Sequence, residues 1–322
     1  MECRIYNTSL TNIAVIQSWK SLDWYEEYNG VGSFTLELDA QTNIYKDIQL
    51  DYYCGIADSE TLMIIKSIVA RKNRVIISGY AAVYLLDSRI STSEISGDTA
   101  TAETLMRGLI TNMTAYPCVQ NAASAAGITD TYNGTLDKGS VLDRILSIAE
   151  DTEIGFKLIH DKTNKKLLFT CYKPTTASAR YFTEYGNISN PEYMTGNNDH
   201  KNVAVVEGAD ATVTVGEILT TGTSRKEIYI DAKYNNKGDL TTSEYQDLLK
   251  GIGYAELAKH NREEALNFDI NDTAAVLGSI AECKISEYGI TATVRIIAVE
   301  IVSQNNRIER HITLGTPIIK RR

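Results

Sequence analysis

The sequence lacks the features that mark secreted, membrane-spanning and nucleic-acid-binding proteins. No apolar run approaches the about 18 residues of a transmembrane helix, and Glu2 and Arg4 stand where a signal peptide needs a basic start and an apolar core. The net charge of −9 disfavours a surface that grips nucleic-acid phosphates. We therefore expect a protein outside the usual secretion route, with no membrane anchor and no specific nucleic-acid binding.

Cysteine is scarce and is never paired locally. The five cysteines are widely spaced and form no Cys-X-X-Cys pair, which argues against a disulfide framework and a thiolate metal site. We expect them to be small buried hydrophobic residues of a protein made in a reducing cytoplasm.

Catalytic and metal-binding motifs are also missing. The four histidines show no HExxH or HxH spacing, and the chain has no GxSxG elbow and no P-loop. We therefore expect no enzyme activity, no cofactor and no metal site. Neighbouring carboxylates at Glu26 and Glu27, and at Asp151 and Glu153, leave a glycosidase-type pair open, because sequence does not give the distance between two carboxyl groups.

What the sequence does contain is a series of short strand patterns. Residues 61–90 show two β-branched runs around a charged tip, and then a helical spacing after Gly79. Asn29 and Gly30 lie between two alternating runs, which predicts a tight hairpin whose core-facing side chains include Phe34 and Leu36. These patterns predict an α+β fold that is mostly β.

Three domains are predicted from the order of these patterns. Residues 1–96 form a first small β-barrel, 97–175 an α/β insert with two helices and a hairpin, and 176–322 a second β-barrel. The second barrel contains a long helix over residues 243–267, before the last hairpins. The run RIIAVEIVSQNNRIERHITLG near the C-terminus echoes MIIKSIVARKNRVIISG near the N-terminus, so the two barrels are predicted to be related.

Several stretches carry a family resemblance through their order and spacing: MECRIYN, YNGVGSFTLELD, GYAAVYLLDSRI, the helix-hairpin unit over residues 139–174, and ITLGTP. Together they resemble the tail and baseplate hub proteins of phages and phage-tail-like bacteriocins, especially those of Gram-positive hosts. That family is similar to the trimeric baseplate hub of contractile tails. The family usually has Leu-Gly-Asp before a strand of the second domain. This chain has Leu277, Gly278 and Ser279, which removes the carboxylate from that turn.

The resemblance implies a structural role at the tip of a tail. A trimer of chains with two barrels each presents six barrels, so it can adapt a six-fold tail tube to a three-fold spike. The implied partners are the chain itself as a homotrimer, a tail tube or distal tail ring protein, a spike or tip protein, the tape measure protein and other baseplate proteins. The implied location is a virion or tailocin particle assembled in the bacterial host cytoplasm.

Two other functions stay open at this point. One is a carbohydrate-active tail-tip protein that uses a carboxylate pair, and the other is a receptor- or glycan-binding tail module. Candidate subunit-interface residues are aromatic or charged and lie in the first predicted domain. Aromatic side chains are enriched at interfaces, but for the four aromatic candidates the sequence favours a core role over an interface role. The candidates are Trp24, Tyr25, Tyr80, Tyr84, Asp87 and Arg89.

Overall fold

The computed structural model describes residues 1–40, 46–57, 59–96, 100–113, 116–270, 276–304, 307–315 and 318–321. Strands dominate these residues, which confirms the predicted α+β, mostly-β class. The helices are α1 (Ala102–Thr111), α2 (Val141–Thr152) and α3 (Thr242–Lys259). The strands, in chain order, are β1 Cys3–Tyr6, β2 Asn12–Ile16, β3 Ser21–Glu27, β4 Ser33–Asp39, β5 Tyr53–Ile56, β6 Met63–Arg71, β7 Arg74–Ala81, β8 Ile90–Ser91, β9 Ile95–Ser96, β10 Val119–Asn121, β11 Thr135–Leu136, β12 Gly139–Ser140, β13 Gly155–Asp161, β14 Lys166–Tyr172, β15 Thr176–Phe182, β16 Ile188–Gly196, β17 Val203–Gly208, β18 Thr212–Gly216, β19 Glu227–Ala232, β20 Glu263–Ile270, β21 Ile280–Ile285, β22 Ile290–Gln304, β23 Arg307–Leu314 and β24 Ile318–Arg321.

The chain forms two compact units. Unit 1 comprises Met1–Pro191 and Phe268–Arg322, and unit 2 comprises Glu192–Asn267. The chain therefore leaves unit 1, builds unit 2 and returns to unit 1. The predicted division into 1–96, 97–175 and 176–322 stays a prediction, because compact units need not coincide with repeated or inserted segments.

Unit 1 is organised around a twelve-stranded sheet that uses strands from both ends of the chain. Its order is β15-β21-β22-β3-β4-β7-β6-β5-β1-β2, and β23 and β24 also pair with β22. The 15-residue β22 connects the two parts of this sheet. Its first half pairs with β21 and β24, and its second half pairs with β3 and β23. Strands far apart in sequence thus share one hydrogen-bonded ladder.

Two similar hairpins flank the β3–β4 hairpin at the middle of this sheet. Strand β22 pairs with β3 and β7 pairs with β4, so β22–β23 and β6–β7 occupy equivalent positions. Each has a bulge at its open end, at Lys66 in β6 and at Ile297 in β22. A glycine lies opposite each bulged segment, Gly79 in one hairpin and Gly315 in the other. The likeness seen in the sequence therefore extends to the backbone.

The β3–β4 hairpin forms where the sequence predicts it. Asn29 adopts φ 49°, a left-handed conformation that Asn tolerates in tight turns. Phe34, Leu36 and Leu38 are buried on one face of β4, as the alternating pattern predicts. The helical spacing after Gly79 forms a short 3-10 helix over Ala82–Leu86.

The insert region packs two helices against the β10-β14-β13 sheet. Thr101 and Ser140 cap α1 and α2, since their hydroxyl oxygens accept the backbone N–H groups three residues later. One side of each helix is apolar and buried, with Met106 from α1 and Ile145 from α2 in the same core. Buried Glu103 accepts the N–H groups of Ala126 (2.6 Å) and Ile128 (3.0 Å), which satisfies a carboxylate that would otherwise be costly to bury.

The core of unit 2 is the β18-β17-β19 sheet with α3 on one face, and the unit also contains parts of the paired strands β16 and β20. The helix directs every fourth residue at the sheet, namely Tyr245, Leu249, Gly253 and Leu257. A Cβ atom at Gly253 would lie 2.5 Å from Val215 Cγ2. The glycine thus allows the helix backbone to approach the sheet closely, which explains a helix interior that propensity disfavours.

The long helix is shorter than predicted. It ends at Lys259, and residues 263–267 of the predicted helix belong to strand β20. His260 occupies the C-cap, and the Asn261 amide donates to the Ala258 carbonyl (3.0 Å), which satisfies a carbonyl of the last turn. The capping box uses Thr241 and Glu244.

Candidate functional site

A cleft of about 560 Å³ lies in unit 1 beside the β3–β4 turn. Its described lining comes from the end of β3, the turn, the loop before β6, the end of β7 and the start of the 3-10 helix, strands β13 and β14, and the segment before β21. Gly32 lets the turn close tightly, because a Cβ there would lie 2.3 Å from the Tyr25 carbonyl oxygen. The lining includes Glu26, Glu27, Gly30, Gly32, Ser59, Glu60, Thr61, Ala81, Val83, Phe156, Lys157, Tyr172, Val276 and Leu277.

The carboxylates of this cleft differ in their surroundings. Glu26 Oε1 accepts hydrogen bonds from Trp24 Nε1 (2.8 Å), Thr61 Oγ1 (3.0 Å) and the Ser59 hydroxyl. It therefore acts as an internal acceptor that fastens the loop before β6 to β3. Partial burial raises the pKa of Glu27.

The opposite wall of the cleft carries a cation. Lys157 Nζ lies 2.7 Å from Glu60 Oε2 and 6.0 Å from the centre of the Tyr172 ring. Burial raises the pKa of Tyr172, so the phenol stays neutral. The wall thus offers an ammonium group and an aromatic side chain, while the β3 side offers the carboxyl group of Glu27.

Next to the cleft, a polar junction joins residues of all three predicted domains. Arg295 of β22 contacts Glu153 Oε2 at 2.9 Å and donates to the Tyr28 hydroxyl at 3.3 Å. Its guanidinium also lies 5.1 Å from the Tyr28 ring centre. The Tyr28 hydroxyl in turn donates to the Glu153 carbonyl (3.0 Å), and the Asn29 amide donates to the Ile154 carbonyl (3.0 Å). The end of α2 is thereby fixed to both the β3–β4 turn and β22.

The departure from the family's Leu-Gly-Asp pattern has a local explanation. Gly278 adopts φ +82°, and the Ser279 hydroxyl donates to the Val276 carbonyl at 2.7 Å. The Ser279 N–H donates to the same carbonyl oxygen (3.1 Å), so two hydrogen-bond donors of Ser279 close the turn. An ionised carboxylate has no proton to donate, and serine therefore closes this turn in a way that aspartate cannot.

The first two predicted interface residues lie on β3. Trp24 is 0% exposed and its ring centre is 5.9 Å from that of Phe34, so it packs in the core of unit 1. Tyr25, its neighbour on the strand, is half-buried and faces Glu300 of β22 across the ladder. Burial raises the pKa of Tyr25.

The other four predicted interface residues fall into two places. Tyr80 and Tyr84 stack with ring centres 5.2 Å apart, and Tyr80 is 45% exposed. Asp87 accepts a hydrogen bond from the Ser140 hydroxyl (3.1 Å), at the start of α2. Arg89 lies over the ring of Tyr116, at 5.4 Å. The structure therefore brings the two tyrosines together and directs Asp87 and Arg89 to the insert. The interface role of these residues stays a prediction.

Sequence reasoning missed the junction at Arg295. Its partners lie 142 and 267 positions away along the chain, so no local pattern could have indicated them. Glu153 was noted only as one of two neighbouring carboxylates.

The described residues contain neither a cluster of metal ligands nor a membrane-spanning helix. In the part of the chain that the structure describes, no three His, Cys, Asp or Glu side chains gather as metal ligands would. Likewise, no helix among the described residues has the length and apolar character needed to cross a bilayer.

Comparisons with known proteins identify the family. The family model of siphovirus ReqiPepy6 Gp37-like proteins matches residues 2–316. Among curated proteins, no sequence matches this chain.

Solved structures share the fold over nearly the full length. The 43 kDa tail protein of prophage MuSo2 from Shewanella oneidensis is 10% identical, with a TM-score of 0.63 over 98% of both chains. Prophage tail protein gp18 from Listeria monocytogenes EGD-e is 13% identical, with a TM-score of 0.57 over 98% of this chain and 94% of that chain. The E. coli c3393 protein, a type VI secretion component, is 8% identical, with a TM-score of 0.51 over 93% of this chain and 73% of that one.

The TM-scores show a shared fold, and the expected resemblance to phage tail and baseplate proteins is confirmed. The chain belongs to the siphovirus ReqiPepy6 Gp37-like protein family.

Proposed function

We propose that this chain is the structural hub at the tip of a phage or phage-tail-like particle, where a homotrimer adapts the six-fold tail tube to the three-fold spike. The observation that carries the proposal is the match to a prophage tail protein over 98% of both chains. Such a match involves the whole architecture and not one module. The E. coli secretion component with the same fold is itself described as similar to the T4 tail proteins gp27 and gp5.

The internal symmetry of unit 1 supports the adaptor role. Hairpins β6–β7 and β22–β23 occupy equivalent positions beside β3–β4. A trimer would present six such hairpins, three of each kind, to a six-fold ring. A chain with a single hairpin of this kind could offer only three.

Exposed apolar side chains in unit 2 support self-association. Large apolar residues that are exposed in a monomer become favourable contacts when a partner covers them. Leu219 and Tyr234 are 90% and 79% exposed. The large apolar side chains that are exposed in the described part of this unit are Met194, Ile218, Leu219, Tyr229, Tyr234, Leu240, Leu248 and Tyr254.

The proposed partners and location follow from the adaptor role. They are a tail tube or distal tail ring protein on one side and a spike or tip protein on the other, with the tape measure protein and other baseplate proteins nearby. The particle is a virion or a tailocin, assembled in the host cytoplasm.

We also propose that the protein has no enzyme activity. One carboxylate of each neighbouring pair that suggested a glycosidase serves the structure, since Glu26 accepts three internal hydrogen bonds and Glu153 pairs with Arg295. Purified protein should therefore leave peptidoglycan and glycan arrays uncleaved. Cleavage would favour the carbohydrate-active alternative, and saturable glycan binding without cleavage would favour the glycan-binding one.

Light scattering on the purified protein tests the oligomeric state. We expect a species of three times the 35.6 kDa chain mass, alone or with the tube and spike proteins present. A strict monomer in every mixture would contradict the hub.

A pair of variants locates the trimer surface. Leu219→Ser with Tyr234→Ser in unit 2 should reduce the mass to that of one chain. The control changes Tyr185→Ser and Tyr288→Ser, which are 60% and 53% exposed in unit 1, and it should remain trimeric. If the control dissociates and the unit 2 variant does not, the surface lies in unit 1.

A further inference from the structure

Two of the five cysteines lie side by side in the core of unit 1. Cys3 Sγ and Cys54 Sγ are 3.4 Å apart, although the residues are 51 positions apart in sequence. Both side chains are 0% exposed, and both thiols are free. The sequence gives no sign of this pair, because neither residue belongs to a local cysteine motif.

The strand register produces the approach. In the antiparallel pair of β1 and β5, Cys3 faces Ile56 and Ile5 faces Cys54. The two cysteines are therefore diagonal neighbours whose side chains point to the same face of the sheet. A disulfide requires a sulfur–sulfur distance of about 2.05 Å, so the sulfurs must approach by a little over an ångström. Closing this gap needs rotation of both side chains and, because diagonal neighbours typically have Cα atoms about 7–8 Å apart, a small local movement of the strands.

We propose that Cys3 and Cys54 are a cross-linking site, at which oxidation forms a disulfide that fastens β1 to β5. A small peroxide can act as the oxidant. One thiolate attacks a peroxide oxygen, which breaks the O–O bond, gives a sulfenic acid and releases hydroxide. The second sulfur then attacks the sulfenic sulfur, forms the S–S bond and displaces the hydroxyl group. Overall, two thiols and one hydrogen peroxide give one disulfide and two water molecules.

The position of the cysteine pair determines which strands a cross-link would hold together. Strand β1 begins at residue 3, and in the described chain its neighbours are β2 and β5, with β2 at the end of the sheet. A strand at the edge of a sheet is hydrogen-bonded on one side only, so the edge opens more easily than the middle. A covalent bond to β5 would hold β1, and through it the edge strand β2, on the sheet. The thiols would stay free in a reducing compartment and cross-link in an oxidising one.

The surroundings predict a slow reaction. The hydrogen bond with Cys3, and after it burial, raise the pKa of Cys54, and the attacking species is the thiolate. Cys118 is partly exposed and offers an internal reference for the progress of oxidation. Oxidation of the pair should lag behind that of Cys118 and should accelerate at temperatures where the strand end opens.

Peptide mapping after oxidation tests the proposal. The folded protein is treated with hydrogen peroxide well beyond the time at which Cys118 is consumed, and samples taken along the way are unfolded, alkylated and digested. We expect Cys3 and Cys54 in one cross-linked peptide that a reductant separates, while Cys171 and Cys283 remain available for alkylation. Recovery of Cys3 and Cys54 as separate alkylated or over-oxidised residues, or paired with other cysteines, would overturn the proposal.

Thermal unfolding provides a second test. Oxidation should raise the melting temperature of the wild-type protein by about 4–8 °C, because the bond restricts the unfolded chain. Cys54→Ala should abolish the rise, whereas Cys283→Ala, a change at an equally buried thiol on β21, should retain it. An equal rise in all three proteins would show that the stabilisation comes from elsewhere. None of these outcomes depends on the proposed hub function.

Discussion

The two units bury apolar surface to different extents. Unit 1 has a twelve-stranded sheet whose core includes a fully buried tryptophan, and it exposes ten large apolar side chains in its described part. Unit 2, much the smaller, has a core of one helix on a three-stranded sheet and exposes eight in its described part. A small unit has more surface for its volume and cannot cover as much of its apolar area. We infer from this difference that unit 1 is stabilised by its own core, whereas unit 2 keeps exposed apolar surface that a partner can cover.

The largest expected effect comes from removing the tryptophan of the unit 1 core. Trp24→Ala should destabilise unit 1 by about 3–5 kcal/mol, because it leaves a cavity and deprives Glu26 of a hydrogen-bond donor. Hydrogen exchange should show lost protection in β3 and β4, while α3 and β17 of unit 2 keep theirs.

The control for this change is the other tryptophan. Trp19 is partly exposed and donates to the Ser303 hydroxyl at 3.1 Å, so Trp19→Ala should cost markedly less. Equal loss of protection in both units after Trp24→Ala would show that they unfold as one, and would remove the basis of the comparison.

The next effect concerns the polar junction of unit 1. Arg295→Met should cost about 1.5–3 kcal/mol, since it removes charge-assisted hydrogen bonds from a side chain that is only 20% exposed. Glu153→Gln is the matched control. Its side chain is 75% exposed, so we expect a loss below about 1 kcal/mol. Urea unfolding measures both, and a larger loss at Glu153 would reverse our view of which partner holds the junction.

Substitutions at two glycines of α3 test how closely the helix packs against the sheet of unit 2. Gly253→Ala should destabilise the unit by about 1–2 kcal/mol, because the new methyl group overlaps Val215 by more than the gain in helix propensity can offset. A Cβ atom at Gly251, two residues away, would have nothing within 4 Å. Gly251→Ala should therefore stabilise the helix by up to about 1 kcal/mol. Thermal unfolding followed by circular dichroism distinguishes the two signs. Stabilisation by both changes would mean that the helix can move away from the sheet at little cost.

The smallest effect is a pH dependence confined to unit 1. His160 is buried, its two ring nitrogens have no hydrogen-bond partner, and its ring centre lies 4.7 Å from that of Tyr6. Burial lowers the pKa of His160, an effect that Lys162 adds to and Asp161 opposes. The unfolded chain thus binds the proton more readily than the folded one. The stability contributed by neutral His160 is present above about pH 6.5 and declines as the pH falls below it.

The expected slope is at most about 1.4 kcal/mol per pH unit. His160→Phe keeps an aromatic ring beside Tyr6 and should flatten the stability profile between about pH 5 and 7. Urea unfolding over this range provides the measurement. A slope unchanged by the substitution would assign the pH dependence to other groups.

Local patterns in the sequence determined much of the fold. The Asn29–Gly30 turn, the alternating side chains of β4, the cap at Ser140 and the β6–β7 hairpin all depend on interactions within a few residues, so the sequence alone predicts them. The order of such pieces also carried the family resemblance, which extends over nearly the whole chain. The end of α3 was predicted less well, because propensity continues past Lys259 while pairing of β20 with β16 favours a strand.

Tertiary structure alone decided which distant residues meet. The sequence shows Cys3 and Cys54, or Arg295 and Glu153, as unrelated positions, and only the strand register and the docking of α2 bring them within contact distance. Likewise, the sequence indicates that β22 is a long strand, but it does not indicate which four strands pair with it. Gly253 is the converse case, a residue unfavourable for its helix that is explained only by the sheet packed against it. Periodicity and turn chemistry depend on residues that are close in sequence, so the sequence alone predicts them. Pairing between distant segments is selected by the burial of the whole core.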